Sequence, residues 1–230
     1  MRTLVLAAGK STRIASVSGG APKPTLELAG QSVLRHNLDW LRQSGIESVD
    51  VNLHHQPERI RASLADYPML FRFWEEMELQ GTAGSYRNLR SEERVLVVYG
   101  DNLIRFDLAK FREQHCTPVS IALFDPACVP NTGIAGGRVK LDSRGQVIRF
   151  EEGGQEGLVN AGVYLLEPSI QEWIPDEAPY DFARDLFPRL LQQGVEMRGF
   201  ELDGYCLGLD TPESWARAQN LIDSGKVRIA

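Results

Sequence analysis

The chain has few of the residues from which metal–thiolate sites, disulfide frameworks or membrane segments are built. Its 230 residues include three cysteines, Cys116, Cys128 and Cys206. The odd count, the wide spacing and the lack of any Cys-x-x-Cys pair exclude a thiolate zinc site and read as reduced thiols of a cytoplasmic protein. The first apolar run, Leu4–Ala8, is far too short for a signal peptide or a membrane span. No Lys/Arg block occurs and the net charge is −6, so no nucleic-acid or membrane partner is expected. The four histidines (His36, His54, His55, His115) have no metal-ligand spacing; His54 and His55 read as the end of a strand. No Ser-His-Asp set or catalytic cysteine can be assembled. A phosphorylated small molecule remains admissible, because such a ligand needs only a few local cations.

What is present is an ordinary globular composition, 43% hydrophobic and 24% charged, long enough to bury a core without covalent staples. Apolar patterning predicts strands at Thr3–Ala7, Val49–Leu53, Leu70–Trp74, Arg94–Tyr99 and Val119–Phe124. Between them lie helices at Ser32–Gln43, Pro57–Leu64, Thr82–Leu89 and Leu108–Gln114. This alternation predicts an α/β fold: a doubly wound, mostly parallel sheet with its loops at the strand C-termini. Beyond residue 130 the texture changes. A hairpin is expected at Arg138–Asp142 and Gln146–Glu151, a strand at Asn160–Leu166, and helices at Asp181–Gln193 and Pro212–Ile222. No repeat, linker or low-complexity tract separates the two parts. One domain over 1–230 is expected, with a first half (1–125) and a second, closing half (126–230).

Gly9-Lys10-Ser11-Thr12 looks like the end of an ATP-binding P-loop. That motif requires a glycine at position 4, where the chain has Leu4 inside an apolar strand, so a P-loop is excluded. What remains is a strand followed by a small-residue turn, Ala7-Ala8-Gly9, and then Lys10, Thr12 and Arg13. Small residues let backbone N–H groups approach a phosphate or base, and an arginine adds charge-assisted hydrogen bonds. Ten residues further on, Lys23 stands between Pro22 and Pro24, on what is expected to be a stiff, extended backbone.

The joint pattern resembles the sugar-phosphate nucleotidyltransferases, a Rossmann-like family that joins an NTP to a sugar 1-phosphate. "LAAGKSTRI…PKPTLELAGQSVLRHNLDWL" is similar to that family's opening, with Ser11 where glycine is usual. The likeness continues through "LQGTAGSYRNL" (79–89), "VLVVYGDN" (95–102), "GQVIRFEE" (145–152), "GLVNAGVYLL" (157–166), "YDFARDLFPRLL" (180–191) and "LDTPESWARA" (209–218). The second half is most similar to mannose- or heptose-1-phosphate guanylyltransferases, with N-acetylmuramate-1-phosphate uridylyltransferases near.

The resemblance implies small-molecule substrates, an NTP and a sugar 1-phosphate, and Mg²⁺ as cofactor, with residues 1–125 as the nucleotide-binding half and 126–230 as the sugar-binding and closing half. It implies that backbone groups of Ala7, Ala8 and Gly9 meet the nucleoside, that Arg13 and Lys23 hold phosphates, and that Gln80 and Gly81 read the base. It places Asp101 on the metal and Glu152, Asn160 and Gly162 on the sugar. Two departures stand out. The second metal aspartate of the family is replaced by Gly208, and Asp210, two positions on, is the carboxylate available instead. The family's lysine after the paired glutamates is Gly153 here, with Arg149 or Arg138 as replacement cations. Two other readings stay open: a cytidylyltransferase for a non-sugar phosphate such as phosphocholine, and a catalytically silent paralogue that binds nucleotide sugar and regulates a partner.

Overall fold

The computed structural model describes residues 1–134 and 136–229. Strands run in chain order as β1 (Arg2–Leu6), β2 (Glu27–Leu28), β3 (Gln31–Ser32), β4 (Ser48–Leu53), β5 (Leu70–Glu75), β6 (Val95–Tyr99) and β7 (Asn102–Arg105). They continue as β8 (Val119–Phe124), β9 (Arg138–Leu141), β10 (Val147–Glu151), β11 (Leu158–Leu166), β12 (Met197–Glu201) and β13 (Tyr205–Gly208). The helices are α1 (Ala15–Ser18), α2 (Val33–Gln43), α3 (Pro57–Ser63), α4 (Thr82–Asn88), α5 (Leu108–Glu113), α6 (Phe187–Gln192) and α7 (Pro212–Asp223).

Among the described residues, nine strands form one mixed sheet. Strands β6, β1, β4 and β5 lie side by side in parallel. Strand β11 continues the sheet antiparallel to β6 and also pairs β8, which in turn carries β12 in parallel. The β9–β10 hairpin joins at the start of β11. The strands from the second half therefore extend the sheet begun by the first.

Alternation along each strand fills two cores. Val5, Leu96, Val98, Ala122 and Val163 meet α2, α3 and α5 on one face, through Leu34, Leu38, Leu41, Ile60 and Phe111. Leu4, Leu6, Val95, Val97 and Tyr164 meet α4 and α6 on the other, through Tyr86, Phe187 and Leu190. A sheet covered on both faces explains why its strands read as near-continuous apolar runs.

The expected helix over Asp181–Gln193 divides in two. Phe182–Leu186 forms one π-type turn, and α6 starts at Phe187 with Pro188 in its first turn. Proline lacks the N–H that a continuous α ladder would use there, so the helix restarts around it. Five short strands escaped the sequence reading, β2, β3, β7, β12 and β13. Strand β13 pairs antiparallel with β7 in a separate ribbon over its own small core, which includes Leu103, Tyr205, Leu207 and Ala218.

One charge in the sheet makes a stability prediction. Asp50 on β4 is buried, and its carboxylate accepts hydrogen bonds from Arg2 (2.6 and 3.1 Å) and Arg72 (2.8 and 3.0 Å). Burial alone would raise this carboxyl, but the two guanidinium groups outweigh it and hold it below the usual carboxylate range. A depressed folded-state pKa gives stability that is present above the unfolded value near pH 4 and lost as pH falls through the folded value. Asp50→Ala is expected to lose about 3 kcal/mol at neutral pH, because it leaves two arginines without their partner. Thermal melts of both proteins from pH 7 to pH 2 check this: the gap must be widest at neutral pH and narrow in acid.

Candidate functional site

The C-terminal ends of β1, β4 and β6 open into a cavity of about 440 Å³, lined by the turn Leu6–Ile14 together with Lys23, Asn52, Glu76, Gly81, Asp101 and Asp210. Beside it lies a second cavity of about 360 Å³, lined among others by Glu152, Asn160, Gly162, Gly136 and Gly137. Arg13, Thr82, Tyr99, Asp101, Asp181 and Asp210 line both. Two clefts therefore share one charged wall.

The β7–β13 ribbon positions two aspartates of that wall. Gly208 pairs with Asn102 across it, so Asp101, just before β7, and Asp210, just after β13, emerge at the same end. The Lys23 ammonium lies between them, 2.8 Å from Asp101 Oδ2 and 2.6 Å from Asp210 Oδ1. Arg13 reaches Asp210 Oδ1 at 3.3 Å from an exposed position. Lys23 itself is only 3% exposed. Its burial would favour the neutral amine, but the two carboxylates outweigh that and raise its pKa above the ordinary lysine value. Burial would likewise raise Asp210; the Lys23 ammonium, and then Arg13, hold its carboxyl below the usual range.

The loop that carries Lys23 differs from the expected extended backbone. Lys23–Thr25 forms a single 3-10 turn, closed by hydrogen bonds from the Thr25 N–H and hydroxyl to the Pro22 carbonyl. Proline's fixed φ suits a 3-10 turn as well as an extended chain. The Lys23 N–H donates to Ser11 Oγ at 2.7 Å, which ties the two loops together. Ser11 adopts the left-handed conformation, with φ of 55°, which accounts for glycine being usual there in the similar family.

Among the described residues, the backbone N–H groups of Ala8, Gly9, Lys10 and Ser11 have no protein acceptor. They make a run of donors along the cleft floor, a chemistry suited to a polyphosphate. The N–H of Ala7 is not part of it, because Asn52 Oδ1 accepts it at 2.8 Å.

Gln80 does not enter either cavity. Its side-chain amide turns back to donate to the Glu78 carbonyl at 2.9 Å. A buried carboxylate that does line the cleft is Glu76, which is 6% exposed. Its Oε1 accepts from Asn52 Nδ2 at 2.9 Å and Ser85 Oγ at 2.5 Å, and its Oε2 from the Gln80 N–H at 3.2 Å. Asn52 and Glu76 both went unnoticed in the sequence. Their signal was a polar residue next to the end of an apolar strand (Asn52) and a glutamate just after another (Glu76).

Gly81 holds the cleft edge for a steric reason. A Cβ on it would lie 2.5 Å from Tyr180 backbone atoms, and its φ is +75°. The chain at 179–181 crosses the start of α4 here, with Ala83 and Gly84 N–H bonded to the Tyr180 carbonyl and Thr82 N–H to Asp181. In the second cavity, Gly162 (φ +74°) sits in a bulge of β11, where a Cβ would meet Tyr99 at 2.9 Å. The Asn160 side chain stabilises that bulge, accepting from the Gly162 N–H and donating to the Tyr164 hydroxyl. The Glu152 carboxyl, raised by burial and then by Asp181, faces the same cavity. The four histidines are engaged in contacts to backbone carbonyls or to Ser120 and Glu167.

A model of the nucleotidyl transferase family matches residues 2–224, and the chain belongs to that family. It is 26% identical to a UTP–glucose-1-phosphate uridylyltransferase of Synechocystis, over 96% of this chain and 63% of that protein. The chain thus spans less than two thirds of that relative. It is 27% identical to a D-glycero-alpha-D-manno-heptose 1-phosphate guanylyltransferase of Aneurinibacillus thermoaerophilus, over 95% of this chain and 97% of that one. Among solved structures it is similar to HddC from Yersinia pseudotuberculosis complexed with GMP-PN. That match has a TM-score of 0.80 and 26% identity, and covers 95% of this chain and 98% of the other. No helix among the described residues is long and apolar enough to cross a membrane.

Proposed function

We propose that the chain transfers a nucleotidyl group from an NTP, preferentially GTP, to a sugar 1-phosphate, releasing pyrophosphate. The observation that carries this reading is the sharing of Arg13, Asp101 and Asp210 by the two cavities. A nucleotide in one and a sugar phosphate in the other would bring their phosphates to the same charges.

In this reading an oxygen of the sugar phosphate attacks the α-phosphorus, and the bond from α-phosphorus to the bridging oxygen of pyrophosphate breaks. The attacking oxygen is already anionic at neutral pH, so no general base is required. Catalysis is then positioning and charge neutralisation. The N–H run from Ala8 to Ser11 receives the triphosphate, Arg13 meets the departing pyrophosphate, and Lys23 lies where the two phosphates would join. Glu152 and the open space above Gly162 accept the sugar ring.

The donor set fits Mg²⁺. Asp101 and Asp210 already converge on one cation, the Lys23 ammonium, and both offer hard oxygens. Magnesium commonly takes one or two carboxylates together with substrate phosphates. When bound there it supplies neutralisation of phosphate charge.

Glu76 supports the preference for guanine. A carboxylate accepts hydrogen bonds and donates none, so a base edge facing it must bring donors, as the N1–H and amino group of guanine do. Glu76→Gln is expected to lower kcat/KM for GTP about tenfold or more, the loss of a hydrogen bond to a charged group, and to narrow discrimination against UTP. Competition assays with both nucleotides measure it; an unchanged GTP preference would remove Glu76 from base recognition.

The test of the function is a matrix of four NTPs against a panel of sugar 1-phosphates, read as pyrophosphate release with and without Mg²⁺. Turnover with GTP and a hexose or heptose 1-phosphate is expected. Pyrophosphate release from no pair would overturn the proposal.

A further inference from the structure

A third cavity, of about 210 Å³, continues from the sugar side of the cleft. It shares Ile134 and Gly136 with the second cavity and is lined by Arg138, Gly153, Gly154 and Gln155. None of Arg13, Asp101 and Asp210 reaches it. It therefore lies beyond the sugar position, away from the reacting phosphorus.

Arg138 has no partner there. Its Nε is buried without an acceptor, and its guanidinium makes no hydrogen bond or ion pair among the described residues. A buried cationic donor without an acceptor is uncommon and calls for an explanation. The neighbouring carboxylates are already engaged: Glu151 pairs with Arg149 at 2.6 Å and Glu156 with Lys140 at 2.8 Å. Of the three cations on β9 and β10, Arg138 is the one left for a ligand. Small residues lie along its stem. A Cβ on Gly154 would lie 3.0 Å from Arg138 Cβ and 3.1 Å from its Cγ, and Gly153 has no side chain to fill the opening.

We infer that this pocket takes an acidic substituent on the sugar, remote from its 1-phosphate, and that Arg138 is its specificity-determining residue. The substrate class is a sugar 1-phosphate carrying a second anionic group, a carboxylate or a phosphate, paired with the guanidinium. The inference rests on the sugar 1-phosphate reading of the second cavity.

The test measures binding, so that it stays separate from turnover. The full chain, saturated with a GTP analogue that cannot be cleaved between the α- and β-phosphates, is titrated calorimetrically. The ligands are mannose 1-phosphate, mannuronic acid 1-phosphate and mannose 1,6-bisphosphate. At least one diacidic sugar is expected to bind tenfold or more tighter than mannose 1-phosphate, and which one distinguishes a carboxylate site from a phosphate site. Arg138→Gln should abolish that advantage and leave mannose 1-phosphate unchanged; Arg138→Lys should keep part of it. Equal affinity for all three sugars, or an advantage that survives Arg138→Gln, would overturn the inference. An equal loss for every sugar would also overturn it, by placing Arg138 at the 1-phosphate. Absence of turnover in the nucleotide matrix would instead count against the proposed reaction, while this binding comparison still reads the pocket.

Discussion

Asp101→Asn is expected to lower kcat by about 10²–10³-fold, the range for losing one charge-stabilising group at a reacting centre, while the melting temperature changes little. Asparagine keeps the shape, and Lys23 retains Asp210 at 2.6 Å, so the β7–β13 ribbon keeps its closing contact. The residue has two tasks in the proposed reaction: it holds one side of the Lys23 ammonium and it presents oxygen to a divalent ion. Loss of either falls on the transition state more than on substrate binding, so kcat should fall further than KM rises. Pyrophosphate release at saturating GTP and sugar phosphate measures it. Near-native turnover would show that the shared wall of the two clefts is not where chemistry occurs.

Lys23→Met has the second large effect, and it differs in kind. The ammonium is nearly inaccessible, whereas the Asp101 and Asp210 side chains are 36% and 32% exposed. Methionine fills the stem's volume but leaves two carboxylates facing each other. Activity should fall about 10²–10³-fold through loss of the phosphate-facing cation. Stability should fall about 2 kcal/mol, the scale of one hydrogen bond to a charged group plus repulsion moderated by solvent. Turnover and thermal melting read together separate the two lysine variants that matter: Lys23→Arg keeps the charge and should recover stability better than activity, because a planar fork does not fit a site built around one point charge. Equal recovery of both would contradict the role given to the ammonium.

Much of the fold was legible because its strands are buried on both faces. Residues 95–99 and 119–124 announce themselves as continuous apolar runs, and the alternation with amphipathic helices such as Val33–Gln43 gives the winding. The short strands β7 and β13 were not legible, since four-residue segments with mixed polarity carry no period of their own. Their pairing matters most for the site, because it closes the two-residue offset at Asp210. In the sequence, Asp210 stands two positions past the Gly208 that replaces the similar family's aspartate, and it was the carboxylate expected instead. In three dimensions the ribbon register brings Asp210 back to the ammonium that Asp101 also touches.

The cleft-lining turn Ala7–Arg13 and Lys23 were readable as small residues and isolated cations after an apolar strand, taken together with the resemblance. The Asn52–Glu76 pair in the same cleft was not. Glu76 and Asn52 are distant in sequence and meet only through the parallel pairing of β4 and β5, whereas Gln80 was the residue that the resemblance placed at the base. Its backbone is fixed by the Tyr180 crossing, which turns the side chain away.

The arrangement of phosphates is tested most directly by a crystal structure of the chain with GDP-mannose and Mg²⁺. The account predicts the diphosphate against Arg13, Lys23, Asp101 and Asp210, with guanine toward Glu76 and the sugar over Gly162 and beside Glu152. A nucleotide sugar whose diphosphate lies away from those four side chains would contradict it.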